Sequence, residues 1–175
     1  MGRRIFIAVN IPEYVKDEIN RILSSKIDSD KCRIVKKENL HITMLFLGYF
    51  SDEAIAELKE KLNKINFGKF NVKLNGAGHF KGRVIWLGVG EGNEKLREVS
   101  EKLNEMLGIK DEMFHAHVTL ARNKSLKYNE ADALVEKLNN EKYESEIEVK
   151  SIDVMESHLT PNGPDYEKLF SIRMG

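Results

Sequence analysis

Every threonine in this chain stands two residues after a histidine. The five histidines are His41, His79, His115, His117 and His158, and the three threonines are Thr43, Thr119 and Thr160. Random placement would give roughly a tenth of one such pair, so three of three is a signal. In a β-strand, residues i and i+2 point to the same face, so each pair presents an imidazole and a hydroxyl side by side. An imidazole titrates near neutrality, so of two facing ones a neutral ring can accept a proton while a charged ring donates one. The substrate that suits such a pair is a phosphodiester. A nucleophile enters in line, an oxygen leaves opposite, and hydroxyls donate to the phosphoryl oxygens between them.

Two of the three pairs share a context, His41-Ile-Thr-Met and His117-Val-Thr-Leu, each inside an apolar run that reads as a strand. The third, His158-Leu-Thr160, runs into Pro161-Asn-Gly163-Pro164 and reads as the lip of a turn, because proline ends a central strand. The surrounding elements repeat. Ile5 to Val9 reads as a strand, and a helix after Pro12 carries Val15, Ile19, Ile22 and Leu23. The His41 strand stops at Gly48, Ser51 caps a helix with Ile55, Leu58, Leu62 and Ile65, and a strand runs from Phe70 towards Phe80. The second half gives a strand over Val84 to Val89 and a helix capped by Asn93 and stopped at Gly108. The His117 strand, a helix capped by Asn129 and an alternating strand from Ser145 follow. The first-strand-to-histidine interval is 36 residues from Ile5 to His41 and 33 from Val84 to His117. The order and spacing predict an internal duplication about a pseudo-two-fold axis. The fold expected is α+β: two similar lobes of antiparallel sheet backed by helices, with a central cleft. It forms a single bilobal domain over 1–175 with repeat halves 1–80 and 81–160 and a C-terminal strand over 165–173.

The chain has 175 residues, 41% hydrophobic and 32% charged, with 3 prolines and 12 glycines, which excludes a disordered or low-complexity chain. Lys+Arg 28 against Asp+Glu 28 leaves no net charge, so contact with nucleic acid would be local, and no field steers the chain to a membrane. The lone Cys32 forms no internal disulfide, and the opening residues lack the apolar length of a secretory signal. A cytoplasmic protein without a membrane span is expected. The absence of glutamine and the dominance of Lys and Glu lean towards the composition of heat-adapted proteins.

The paired H-x-T-x motifs resemble those of the two-histidine (2H) phosphoesterases, in particular the RNA 2′,3′-cyclic phosphodiesterases, also called 2′-5′ RNA ligases. The likeness covers nearly the whole chain: Arg4-Ile-Phe6-Ile-Ala8-Val, Phe46-Leu-Gly48 after the first motif, Arg122 closing the second, and Glu156-Ser157 with Leu159, Pro161, Gly163 and Tyr166. Ala116 departs from the proline that often precedes the second histidine. The resemblance implies hydrolysis of a 2′,3′-cyclic phosphate at an RNA end to a 2′-phosphomonoester, with neither metal nor cofactor. His41 is then the proton donor to the 3′ oxygen and His117 the proton acceptor from water, a division of roles that spacing alone does not make. Thr43 and Thr119 would bind the phosphate, Arg122 would contact substrate, and a monomer acting on RNA ends such as tRNA fragments is implied. Joining of RNA halves through a 2′-5′ bond, with a 5′ hydroxyl as nucleophile, is a second activity within that resemblance.

Other readings keep the fold. The histidines could serve as phosphate ligands in a non-catalytic module for RNA ends or nucleotides, or the substrate could be a small cyclic nucleotide. His115-Ala-His117 offers two imidazoles on one strand face and would suit zinc with a third ligand, but leaves the duplicated threonines unexplained. Gly88-Val-Gly90-Glu-Gly92 fails the dinucleotide spacing and reads as a turn. Lys36-Lys37, Lys81 and Arg83 read as solvated surface. Phe46, Phe80, Phe114 and Trp86 have the chemistry to stack on a base, although strict alternation puts Phe46 on the face opposite His41.

Overall fold

Ile5, Ile7 and Val9 alternate with Phe6 and Ala8 along one strand, and all five are at most 3% exposed. A strand apolar on both faces belongs in the interior of a sheet. In the computed structural model, which describes residues 2–110 and 113–175, that strand is β1 (Arg3–Asn10), lying between two others. The remaining elements are α1 (Glu13–Ile22), β2 (Cys32–Ile34), β3 (His41–Phe50), α2 (Asp52–Leu62), β4 (Phe70–Phe80), β5 (Val84–Val89), α3 (Asn93–Leu107), β6 (His117–Asn123), α4 (Tyr128–Asn140), β7 (Glu144–Val149), β8 (Ser151–Thr160) and β9 (Gly163–Arg173). The α+β class and both series of strands and helices stand as the sequence implies, except that the long strand expected from Ser145 onwards is broken at Lys150 into β7, which pairs with β4, and β8, which pairs with β1.

The strands form one antiparallel sheet in the order β7-β4-β5-β6-β3-β1-β8-β9, with β2 added beside β6. The two lobes are its halves, β3-β1-β8-β9 and β6-β5-β4-β7, joined at the residue pair Ile42 and Val118. Sequence repeat and spatial lobe do not coincide. β4 follows α2 in the first half but pairs with β5 in the second lobe, and β8 from the second half pairs with β1 in the first. Each half thus lends its last strand to the other's sheet, and one buried apolar cluster runs through both.

The helices cover one face of the sheet. Their buried residues recur at helical spacing: Val15 and Ile19 in α1, Ile55, Leu58 and Leu62 in α2, Leu96, Val99 and Leu103 in α3. No helix of the described residues is long and apolar enough to cross a membrane. The Ser51 hydroxyl accepts the Ala54 N–H at 3.2 Å, as a cap should, and Gly108 ends α3 in the left-handed conformation. Two expected caps shift. α3 is capped by Gly92, at φ +85°, where a Cβ would lie 2.3 Å from the Asn71 carbonyl oxygen, so Asn93 becomes the first helical residue. α4 begins after Lys127, whose N–H donates to Glu130 at 2.8 Å, two residues before Asn129.

Candidate active site

β3 and β6 run antiparallel with Ile42 opposite Val118, and both residues are fully buried. The central residue of each H-x-T triplet therefore faces the core. Pleating sends the flanking residues the other way, so His41, Thr43, His117 and Thr119 share the opposite face, astride the axis that relates the lobes. They line one cavity of about 280 Å³.

Each motif is followed by a β-bulge. On β3, Ala8 pairs with Thr43 while Ile7 pairs with Leu45, leaving Met44 as an extra residue, and Met44 and Leu45 are both buried. On β6, Trp86 pairs with Thr119 while Ile85 pairs with Ala121, leaving Leu120 extra, and Leu120 and Ala121 are both buried. An extra residue reverses the alternation beyond it. Phe46 and Arg122 are therefore turned onto the face of the histidines, and both line the cavity. This corrects the expectation that Phe46 lies opposite His41, and it explains how Arg122 reaches the site.

Main-chain carbonyls orient both rings. His41 Nδ1–H donates to the Asn39 carbonyl at 2.7 Å, and His117 Nδ1–H donates to the His115 carbonyl at 2.6 Å. A carbonyl only accepts, so in the neutral rings Nδ1 holds the proton and Nε2 is the bare nitrogen. His41 Nε2 accepts from the Thr43 hydroxyl at 2.8 Å. Aromatic walls back each ring: Phe6 and Tyr166 both lie 5.2 Å from His41, and Phe80 lies 4.9 Å from His117, edge to face. Burial lowers the His41 pKa to about 4, against the opposing pull of the Asn39 carbonyl and with help from the charges of His117 and Lys16. Burial also lowers that of His117, opposed by the His115 carbonyl and reinforced by His115 and Arg122.

The remaining wall comes from segments without a sequence motif. β2 pairs with β6, setting Arg33 opposite Arg122, and Arg33 and Lys36 line the cavity. Asn39 donates through Nδ2 to the Pro164 carbonyl at 2.8 Å, fastening the turn between β8 and β9, where Asn162, Gly163 and Pro164 form the lip. The turn reading of the third pair is thus met. Thr160 ends β8 and bonds the Gly163 carbonyl, whereas His158 points elsewhere and meets Glu167 at 3.1 Å. His115 is exposed and packs against Phe80 and Trp86. Among the described residues, the group of three side chains spaced to hold a metal is Glu156, His158 and Glu167, which does not include His115 or His117.

The model of the 2′-5′ RNA ligase superfamily matches residues 12–161. The RNA 2′,3′-cyclic phosphodiesterase of Archaeoglobus fulgidus is 35% identical over 95% of this chain and 97% of its own. The protein of the same name from Methanocaldococcus jannaschii is 36% identical over 94% and 96%. The solved structure of E. coli LigT in its apo form superposes with a TM-score of 0.81 over 99% of this chain and 98% of that one, at 22% identity. A Thermus thermophilus structure, TT0787, gives 0.76 over 98% and 97% at 23% identity. With its two H-x-T motifs paired across the axis of a duplicated fold and these likenesses along its whole length, the chain belongs to the 2′-5′ RNA ligase superfamily.

Proposed function

We propose that this protein is a hydrolase that opens 2′,3′-cyclic phosphates at RNA ends to 2′-phosphomonoesters by paired-histidine acid–base catalysis. The observation that carries the reading is the Ile42–Val118 pair, which sets two imidazoles and two hydroxyls on one face of a shared cavity. Water attacks phosphorus as the P–O3′ bond breaks. His117 takes the proton of the water, His41 gives one to the leaving 3′ oxygen, and a second turnover needs those protons exchanged with solvent. Thr43 and Thr119 donate to the non-bridging oxygens, and Arg122 offsets their charge. With a 5′ hydroxyl in place of water, the same displacement would join two RNA ends through a 2′-5′ bond. These residues supply acid, base and charge without a metal ion, so turnover is expected to survive EDTA. The reading is of one bilobal domain over 1–175, monomeric and cytoplasmic, acting on RNA ends such as those of tRNA fragments. One chain's residues suffice to line the cavity.

The protonation state sets the pH dependence. Catalysis needs one charged and one neutral ring, and burial brings both below the usual histidine value. The singly protonated pair therefore forms below the usual histidine range, with His41 titrating near pH 4 and His117 lowered in the same direction. Above both, that form falls about tenfold per pH unit. The expected kcat/KM profile of a cyclic-phosphate RNA peaks on the acid side of the ordinary histidine pKa, and a plateau extending to pH 8 would contradict it. Bound phosphate, an anion in a dry site, favours the charged form of both rings, so the kcat profile is expected at higher pH than that of kcat/KM.

A further inference from the structure

We infer that Arg4, on the cleft face of β1, forms a second phosphate subsite that receives the 5′ phosphate of the nucleotide whose cyclic phosphate lies between the histidines. The inference rests on the proposed hydrolysis and specifies its substrate as a strand end instead of a bare cyclic nucleoside phosphate.

Arg4, Phe6 and Ala8 share the face of β1 that turns towards His41 and Tyr166, with Phe6 and Ala8 buried beneath those rings and Arg4 exposed beyond them. Ala8 is opposite Thr43, and the Phe6 ring lies 5.2 Å from that of His41. From Ala8 to Arg4 the strand covers roughly 13 Å, a span that a sugar lying against Tyr166 and Phe46, which line the cavity above Phe6, and the long arginine side chain can close. The neighbouring Arg3 faces the other way and is neutralised, at 3.1 Å from Asp52 and 2.6 Å from Glu156. Arg4 is exposed and makes no ion pair or hydrogen bond among the described residues.

Strand register supplies the rest of the subsite. β1 pairs Ile5 with Glu156, so the next residue pair sets Arg4 beside Ser157, which in turn is opposite Tyr166 of β9. Ser157 is 9% exposed and its buried hydroxyl has no partner among the described residues. Tyr166 stands between the two centres: its ring is edge-on to His41 at 5.2 Å, and burial raises its phenol pKa against the opposing charges of Arg122 and Arg4. Lys168, opposite Met155, adds an exposed cation on the same face. Acidic groups are withdrawn from it. Glu156 and Glu167 face the other side with Arg3 and His158, and Asp153 is 4% exposed and accepts from Asn10 at 2.6 Å and from Ser171. A chain of zero net charge thus presents unpaired cations where a strand would pass.

The test compares adenosine 2′,3′-cyclic phosphate with its 5′-phosphorylated form as substrates, and adenosine 2′-phosphate with adenosine 2′,5′-bisphosphate as ligands at equilibrium. In the unaltered protein the 5′ phosphate is expected to raise kcat/KM and affinity about 10-fold, the size of a charge-assisted contact, and the gain should shrink as salt is added. Arg4→Gln is expected to bring the ratio close to one, Arg4→Lys to retain part of it, and Arg3→Gln to retain it in full. No gain in the unaltered protein, or an equal gain in Arg4→Gln, overturns the subsite. Absence of turnover with the affinity gain intact would count against the proposed hydrolysis and support the subsite.

Discussion

Alanine at His41 or at His117 is expected to lower turnover of an RNA ending in a 2′,3′-cyclic phosphate by about 10²–10⁴-fold, with EDTA present throughout. Each ring is fixed by one carbonyl, at 2.7 Å for His41 and 2.6 Å for His117, and both rings line the same cavity. Losing either removes one of the two proton transfers and leaves the threonine hydroxyls and Arg122 to polarise the phosphate. The residual rate should therefore be measurable. Because acid and base act in one displacement, the double variant is expected to fall little further than the worse single one. Burial lowers both pKa values, so at neutral pH charge on these rings does not support the fold, and each variant should melt cooperatively. The measurement is single-turnover hydrolysis with the product resolved as 2′- or 3′-phosphate. A loss of less than tenfold at either position, or formation of the 3′-phosphate, would sink the paired mechanism.

Ile42→Ala is expected to cost about 2–5 kcal/mol of folding stability, as for other fully buried isoleucines, which in a chain of this length lowers Tm by roughly 5–15 °C. Ile42 has no exposed surface and forms, with Val118, the pair that joins the lobes. Ile42 lies inside the apolar cluster that runs through both lobes, so its truncation leaves a cavity in close-packed surroundings. The same change lets His41 and Thr43 drift from His117 and Thr119, and misplacement of reacting groups by as little as about 1 Å can cost on the order of 10²-fold. Activity well below the new Tm is therefore expected to fall with stability. Thermal unfolding and hydrolysis of the same sample decide it. A Tm change under a few degrees would show that the lobes are held together elsewhere.

Much of the site was legible before any coordinates, for a local reason. Strand pleating has a period of two, so a histidine and a threonine two residues apart share a face wherever the strand lies. The repeated order of elements follows from apolar spacing in the same way, and Ser51 and Gly108 mark helix ends by chemistry within one turn. Phe46 shows the limit of that reasoning. Alternation held only as far as Met44, where the pairing with β1 admits an extra residue, and no residue type in His-Ile-Thr-Met-Leu-Phe announces a bulge. Arg33, Lys36 and Asn39 were likewise silent, since their place depends on β2 lying beside β6 and on the turn at Pro164.

Residue type and short-range period are enough to establish that two imidazole–hydroxyl pairs exist, that each occupies one face of a strand, and that the elements carrying them recur in the same order. Long-range packing is what makes the pairs meet across Ile42 and Val118, turns Phe46 and Arg122 inward, has each half lend a strand to the other, and buries His41 deeply enough to titrate near pH 4. Those outcomes depend on hydrogen-bond register and on burial between segments far apart in the chain, and neither quantity is carried by neighbouring residues.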